Sequence, residues 1–74
     1  MIINGFRIYE IKFNEIRLNE RIRVDIDGFP SFVGIVKKLT HRQVDLDIST
    51  KPNENLITTC RNSTQFSYYR IIEL

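Results

Sequence analysis

The chain has no alanine and no tryptophan, and only one cysteine, one methionine, one histidine, three glycines and two prolines in 74 residues. Each shortage excludes something. Without alanine, the strongest helix former, a helical bundle would rest on weaker residues throughout. A single thiol, Cys60, closes no internal disulfide and holds no metal alone. With no such staple and no export signal, the expected compartment is the cytoplasm. No run approaches the ~18 consecutive apolar residues of a membrane span. Arg7, Glu10, Lys12 and Glu15 interrupt the apolar positions that a secretory leader would need. No glycine-rich phosphate loop is present. His41 has no cysteine or serine at a spacing that would recommend a nucleophilic pair. The expectation is therefore a non-enzymatic chain with no catalytic residue, no cofactor and no metal site.

What is there is β-forming. Twelve isoleucines and eight aromatics stand among 42% hydrophobic and 27% charged residues, a composition that suits a pleated, half-buried surface. Arg21-Ile22-Arg23-Val24-Asp25-Ile26-Asp27 alternates with a period of two, and Gln43-Val44-Asp45-Leu46-Asp47-Ile48 repeats the pattern. Phe32 to Leu39 is apolar on both faces for part of its length, as a bent central strand would be, with Gly34 as the expected bulge. Turn clusters at Asp27-Gly28-Phe29-Pro30 and Thr40-His41-Arg42 separate these strands. Leu56 to Arg61 reads as a fourth strand, and Phe66 to Leu74 as a turn followed by a closing strand. At the N-terminus, Asn4-Gly5 between apolar runs signals a hairpin. Residues 14–20 allow one helical turn, with Asn14 before Glu15 in cap-like order.

These signals predict one small domain over 1–74, with an N-terminal β-hairpin over 1–13 and a barrel over 18–74. The class is all-β: a small, antiparallel, five- to six-stranded, partly open barrel with at most one helical turn. The size scaling gives roughly 4,800 Å² of folded surface, room for one core and for little in the way of a deep cavity. The order of Ile22 to Asp27, Gly34-Ile35-Val36, Val44 to Ile48 and Tyr69 to Ile72 resembles small barrels of the Tudor, KOW and Sm-like type. That resemblance covers about three quarters of the chain and implies a module presenting loops and strand faces to RNA, DNA or protein tails.

The net charge of +2 is modest, so the placement of charges carries more than their sum. Lys37, Lys38, His41 and Arg42 fall at one hairpin tip, and Arg17, Arg21 and Arg23 form a second group entering the first barrel strand. Clustered cations of this kind meet nucleic-acid phosphates, and Tyr9, Phe29, Phe32, Tyr68 and Tyr69 are candidates to stack on bases. The predicted nucleic-acid site is Lys37, Lys38, Arg42, Arg21, Arg23 and His41, with Tyr69 supporting. A protein-interaction or regulatory inhibitor module is the alternative: adjacent Tyr68 and Tyr69 send one ring inward and one outward, and an open strand edge, an aromatic groove or the N-terminal hairpin suits a peptide or a homo-oligomer. Asp25, Asp27, Asp45 and Asp47 read as a solvated face. Arg17-Leu-Asn-Glu-Arg21 with Asp47-Ile-Ser49 also resembles the paired elements of the PilZ family, which implies cyclic-dinucleotide binding through Arg17, Arg21, Asp47 and Ser49. Pro52 stands where that family has a glycine.

Overall fold

The computed structural model describes residues 2–3 and 5–73. Asn4 of the expected hairpin turn and Leu74 of the expected closing strand lie outside the described residues. Seven strands form one antiparallel sheet: β1 (Ile2–Ile3), β2 (Phe6–Ile11), β3 (Arg21–Ile26), β4 (Phe29–Leu39), β5 (Gln43–Asp47), β6 (Ile57–Arg61) and β7 (Phe66–Glu73). Their order across the sheet is β1-β2-β7-β3-β4-β5-β6. One 3₁₀ turn, Phe13–Glu15, is the helical element among the described residues.

The period-two segments become strands because alternation buries one face. Ile22 and Val24 on β3, Val36 on β4, Val44 and Leu46 on β5, Cys60 on β6 and Tyr68 on β7 form the core with Ile16. The accessible surface, 5576 Å², exceeds the roughly 4,800 Å² expected for this mass, which fits a curled but open sheet. β1 and β6 stand at its ends. The hydroxyl of Tyr68 on β7 reaches the edge strand β6, donating to the Arg61 carbonyl at 2.7 Å.

Four details correct the sequence reading. Phe29 and Pro30 belong to β4, because the β3–β4 turn is tight at Asp27 and Gly28; Gly28 takes φ +79, which favours glycine. The residues from Phe66 onward are strand from the start, with no preceding turn inside them. The 3₁₀ turn begins at Phe13 and is capped by Glu15, whose Oε1 accepts the Lys12 N–H at 2.8 Å, not by Asn14. The bulge facing β5 falls between Val36 and Lys38 instead of at Gly34.

Gly34 answers to a different need. A Cβ there would lie 2.9 Å from the Asp47 carbonyl oxygen and 3.0 Å from the Leu46 Cβ. Gly34→Ala is therefore expected to cost about 1–3 kcal/mol through overpacking, read from urea denaturation. A loss below about 0.5 kcal/mol would mean that β4 and β5 separate freely at this point.

β7 lies between β2 and β3 and pairs with β2 from Phe6↔Glu73 to Ile11↔Tyr68. The segment joining β2 to β3 must then cross one end of the sheet, and it is fastened there. Ile16 is buried, the Asn19 N–H donates to the Val36 carbonyl at 2.8 Å, and Arg70 of β7 reaches Glu20 and the Glu15 carbonyl.

Candidate nucleic-acid interface

Register decides which of the cations share a surface, since paired residues on neighbouring strands project to the same side. Arg23 pairs with Tyr69 on one side and Val33 on the other, Arg21 pairs with Ile35, which pairs with Asp47, and Lys38 pairs with Asp45. All of these lie on the outer face, opposite the core. The seven predicted residues nevertheless fall into three groups.

Arg23 and Tyr69 occupy the middle of the face and are held there. The Arg23 Nε donates to Asp25 Oδ1 at 2.9 Å and its Nη2 to Ser31 Oγ at 3.1 Å. Its guanidinium lies 5.8 Å from the centre of the Tyr69 ring. As expected, Tyr68 turns inward and Tyr69 outward, but Tyr69 is half-buried beneath this arginine.

Arg21 is exposed and lines a shallow depression of about 220 Å³ with Asp47, Ser49 and Thr50. Three of the four PilZ-like residues thus meet, and Arg17 is not among those lining it. Asp47 and Ser49 serve the local backbone: Asp47 Oδ1 accepts the Ser49 N–H at 2.9 Å, and Ser49 Oγ accepts the Leu56 N–H at 2.8 Å. Hydrogen bonding from Ser49 holds the Asp47 carboxyl below its ordinary range, with a smaller pull from Lys37.

Lys37, Lys38, His41 and Arg42 form the third group, at the β4–β5 tip. Strict alternation would turn one of two adjacent lysines inward. The bulge between Val36 and Lys38 prevents this, so Val36 is buried while Lys37 and Lys38 are both exposed. The turn itself is braced. Thr40 Oγ1 accepts the N–H groups of Arg42 and Gln43, each at 3.2 Å. Asn62 donates its N–H to the Arg42 carbonyl at 2.9 Å and its Nδ2 to the His41 carbonyl at 3.2 Å. The backbone is satisfied and the side chains are left to solvent. Among the described residues the ion pairs are Arg23–Asp25 and Arg70–Glu20, so Lys37, Lys38 and Arg42 carry their charge without a carboxylate at pairing distance.

Beside the tip lies a depression of about 320 Å³, lined by Phe13, Asn14, Ile16, Leu39, Thr40, His41 and Asn62. Neither Asn62 nor Phe13 carries a sequence signal for this site. The Thr40-x-x-Gln43 spacing hinted at a braced turn, but nothing local to Asn62 shows that the β6–β7 turn reaches it. The exposed aromatics lie elsewhere: Phe29 sits at the far end of β4 and Tyr9 on β2. Phe32 packs against the core and Tyr68 is within it.

Of the aspartates proposed as a solvated face, Asp27 is exposed, while Asp25 is engaged by Arg23, Asp45 by the Thr59 hydroxyl at 2.8 Å and Asp47 by the Ser49 N–H. No cluster of three or more metal-ligating side chains occurs among the described residues. Nor is any helix there long and apolar enough to cross a membrane.

Burial pushes the Cys60 thiol up to about 11, with nearby Asp45 adding to the shift, and raises Tyr68 as well. Both groups are raised above their unfolded values, so their stabilising contribution is complete below the unfolded thiol range near ~8.5 and is lost as pH climbs through the folded value. The urea midpoint should hold steady around neutrality and fall between pH ~8.5 and 11. The Cys60 thiol should react with disulfide reagents only as fast as the domain opens. A midpoint that stays flat to high pH would contradict the first expectation, and a thiol that reacts at the rate of a free cysteine the second.

No family model matches the chain, and no curated protein or solved structure does so either. The fold defines the class: a small all-antiparallel, open-barrel-like β domain.

Proposed function

We propose that the domain is a non-enzymatic binding module that contacts a nucleic-acid backbone through the β4–β5 tip. The observation carrying this reading is the braced turn that holds Lys37, Lys38 and Arg42 exposed and without ion pairs. Phosphate contact needs clustered cations in a fixed arrangement and little else. The neighbouring depression, with Leu39 and Phe13 in its lining and His41 among its residues, offers a place for a sugar or base alongside the phosphates. Arg23 and Tyr69 support the sheet in this reading more than they touch the ligand, since Arg23 is already bound to Asp25 and Ser31. Arg21 lies one row away on the same face and extends the field. The fold-level resemblance to Tudor, KOW and Sm-like barrels supports a module of this kind, acting in the cytoplasm.

The test is a fluorescence-anisotropy titration of labelled single- and double-stranded oligonucleotides at several salt concentrations. Three phosphate contacts give a slope of log K against log salt of about −2.7 on duplex and about −2.1 on a single strand. Binding without that slope would point to another mode of contact.

A further inference from the structure

We propose that β6 is a pairing edge and that its partner is the β6 of a second copy of this chain, joined antiparallel about a two-fold axis at Thr59. This inference does not depend on nucleic-acid binding.

Sheet edges are ordinarily blunted by lysine, proline, a bulge or shortness. At one end of this sheet, β1 is two residues long. At the other, β6 is Ile-Thr-Thr-Cys-Arg, five residues without lysine or proline, and its register with β5 is uninterrupted. Ile57 is 48% exposed, and Leu56 just before it is 49% exposed.

The direction of the free backbone groups follows from the ladder. The Ile48 N–H bonds the Leu56 carbonyl and the Asn62 N–H bonds the Arg42 carbonyl, each at 2.9 Å. Even-numbered residues of β6 therefore face β5, and the N–H and C=O groups of Ile57 and Thr59 point outward with the Arg61 N–H. The Arg61 carbonyl already accepts the Tyr68 hydroxyl. An added antiparallel strand must match odd-numbered residues to odd-numbered ones. Thr59 opposite Thr59, with Ile57 opposite Arg61, gives the greatest overlap, and it is self-complementary as a two-fold interface requires.

Charge selects a second copy over other strands. On the outer face Ile57 neighbours Asp47, and Thr59 neighbours Asp45. Neither aspartate has an ion pair, and Arg61 is exposed without one. In the two-fold arrangement Arg61 of the second copy stands beside Ile57, about two strand spacings or roughly 10 Å from Asp47 between Cα atoms. Extended arginine and aspartate side chains together cover that span, and the symmetry supplies the contact twice.

Sedimentation velocity from about 5 µM to about 500 µM, a range suited to an interface of this small size, should show monomer converting to dimer. Thr59→Pro removes an outward N–H while leaving the β5 ladder intact, a position where proline is tolerated. It is expected to remain monomeric throughout, with an unchanged far-ultraviolet dichroism spectrum. Arg61→Glu, a surface change that leaves the fold alone, should weaken association at least tenfold by facing Asp45 and Asp47 with a like charge. A wild-type protein that stays monomeric at the highest concentration would overturn the proposal. So would a dimer that Arg61→Glu leaves at full strength, since association would then use another surface. Should Thr59→Pro lose its fold, Arg61→Glu alone decides.

Discussion

Arg70→Ala is expected to destabilise the domain by about 2–3 kcal/mol, a large part of the roughly 4–11 kcal/mol available to a chain of this length. The Arg70 guanidinium donates from Nε to Glu20 Oε1 at 3.2 Å and from Nη2 to the Glu15 carbonyl at 2.6 Å. The side chains are 23% and 16% exposed, so the cost falls below that of breaking a fully buried pair, about 3–5 kcal/mol. The contacts tie the last strand to the segment that crosses the end of the sheet and carries Ile16 into the core. Without the arginine, Glu20 retains the Arg17 N–H and is left with a largely enclosed, unpaired charge. Thermal unfolding should drop by roughly 8–24 °C. The double variant Arg70→Ala with Glu20→Ala should lose less than the sum of the single changes. Additive losses, or a shift under about 2 °C, would show that Ile16 packing and the backbone bonds to Val36 hold the crossing segment without Arg70.

Lys37→Glu combined with Lys38→Glu carries the other large effect. Each charge-assisted contact is worth about 1.5–3 kcal/mol, so losing two and reversing their sign should weaken oligonucleotide binding by at least about 100-fold. The stability effect should be small, because both side chains are exposed and neither forms an ion pair. Arg23→Ala should behave in the opposite way, loosening the sheet around Asp25 and Tyr69 while changing binding little. That contrast separates the two groups of cations that the predicted site had combined.

The division between what was and was not legible in the sequence follows the range of the interactions. Arg21 to Ile26 and Gln43 to Asp47 declared themselves because alternation is local and its consequence, one buried face, is the same in any antiparallel sheet. The two-residue β3–β4 turn was visible in Asp27-Gly28, although Phe29 and Pro30 were drawn into it through composition. The position of β7 between β2 and β3 had no such signal, since pairing of the first long strand with the last depends on contacts across nearly the whole chain. Everything that follows from it was hidden as well, including the Arg70–Glu20 pair. The tip cations were visible as a cluster. Their simultaneous exposure depends on a bulge that the sequence placed at Gly34, because glycine marks both bulges and close approaches and alternation alone does not tell them apart. The grip of Asp25 on Arg23 is a same-strand contact two residues apart and could have been anticipated. Ser31 completes it from a neighbouring strand and could not.

The measurement that bears most directly on the tip as a phosphate-binding site is the anisotropy titration of wild type beside the Lys37→Glu, Lys38→Glu variant, in near-physiological and lowered salt. Wild-type binding is expected to weaken steeply with salt, and the variant to be folded yet at least about 100-fold weaker. Equal binding by the two proteins, or no wild-type binding even at low salt, would contradict it.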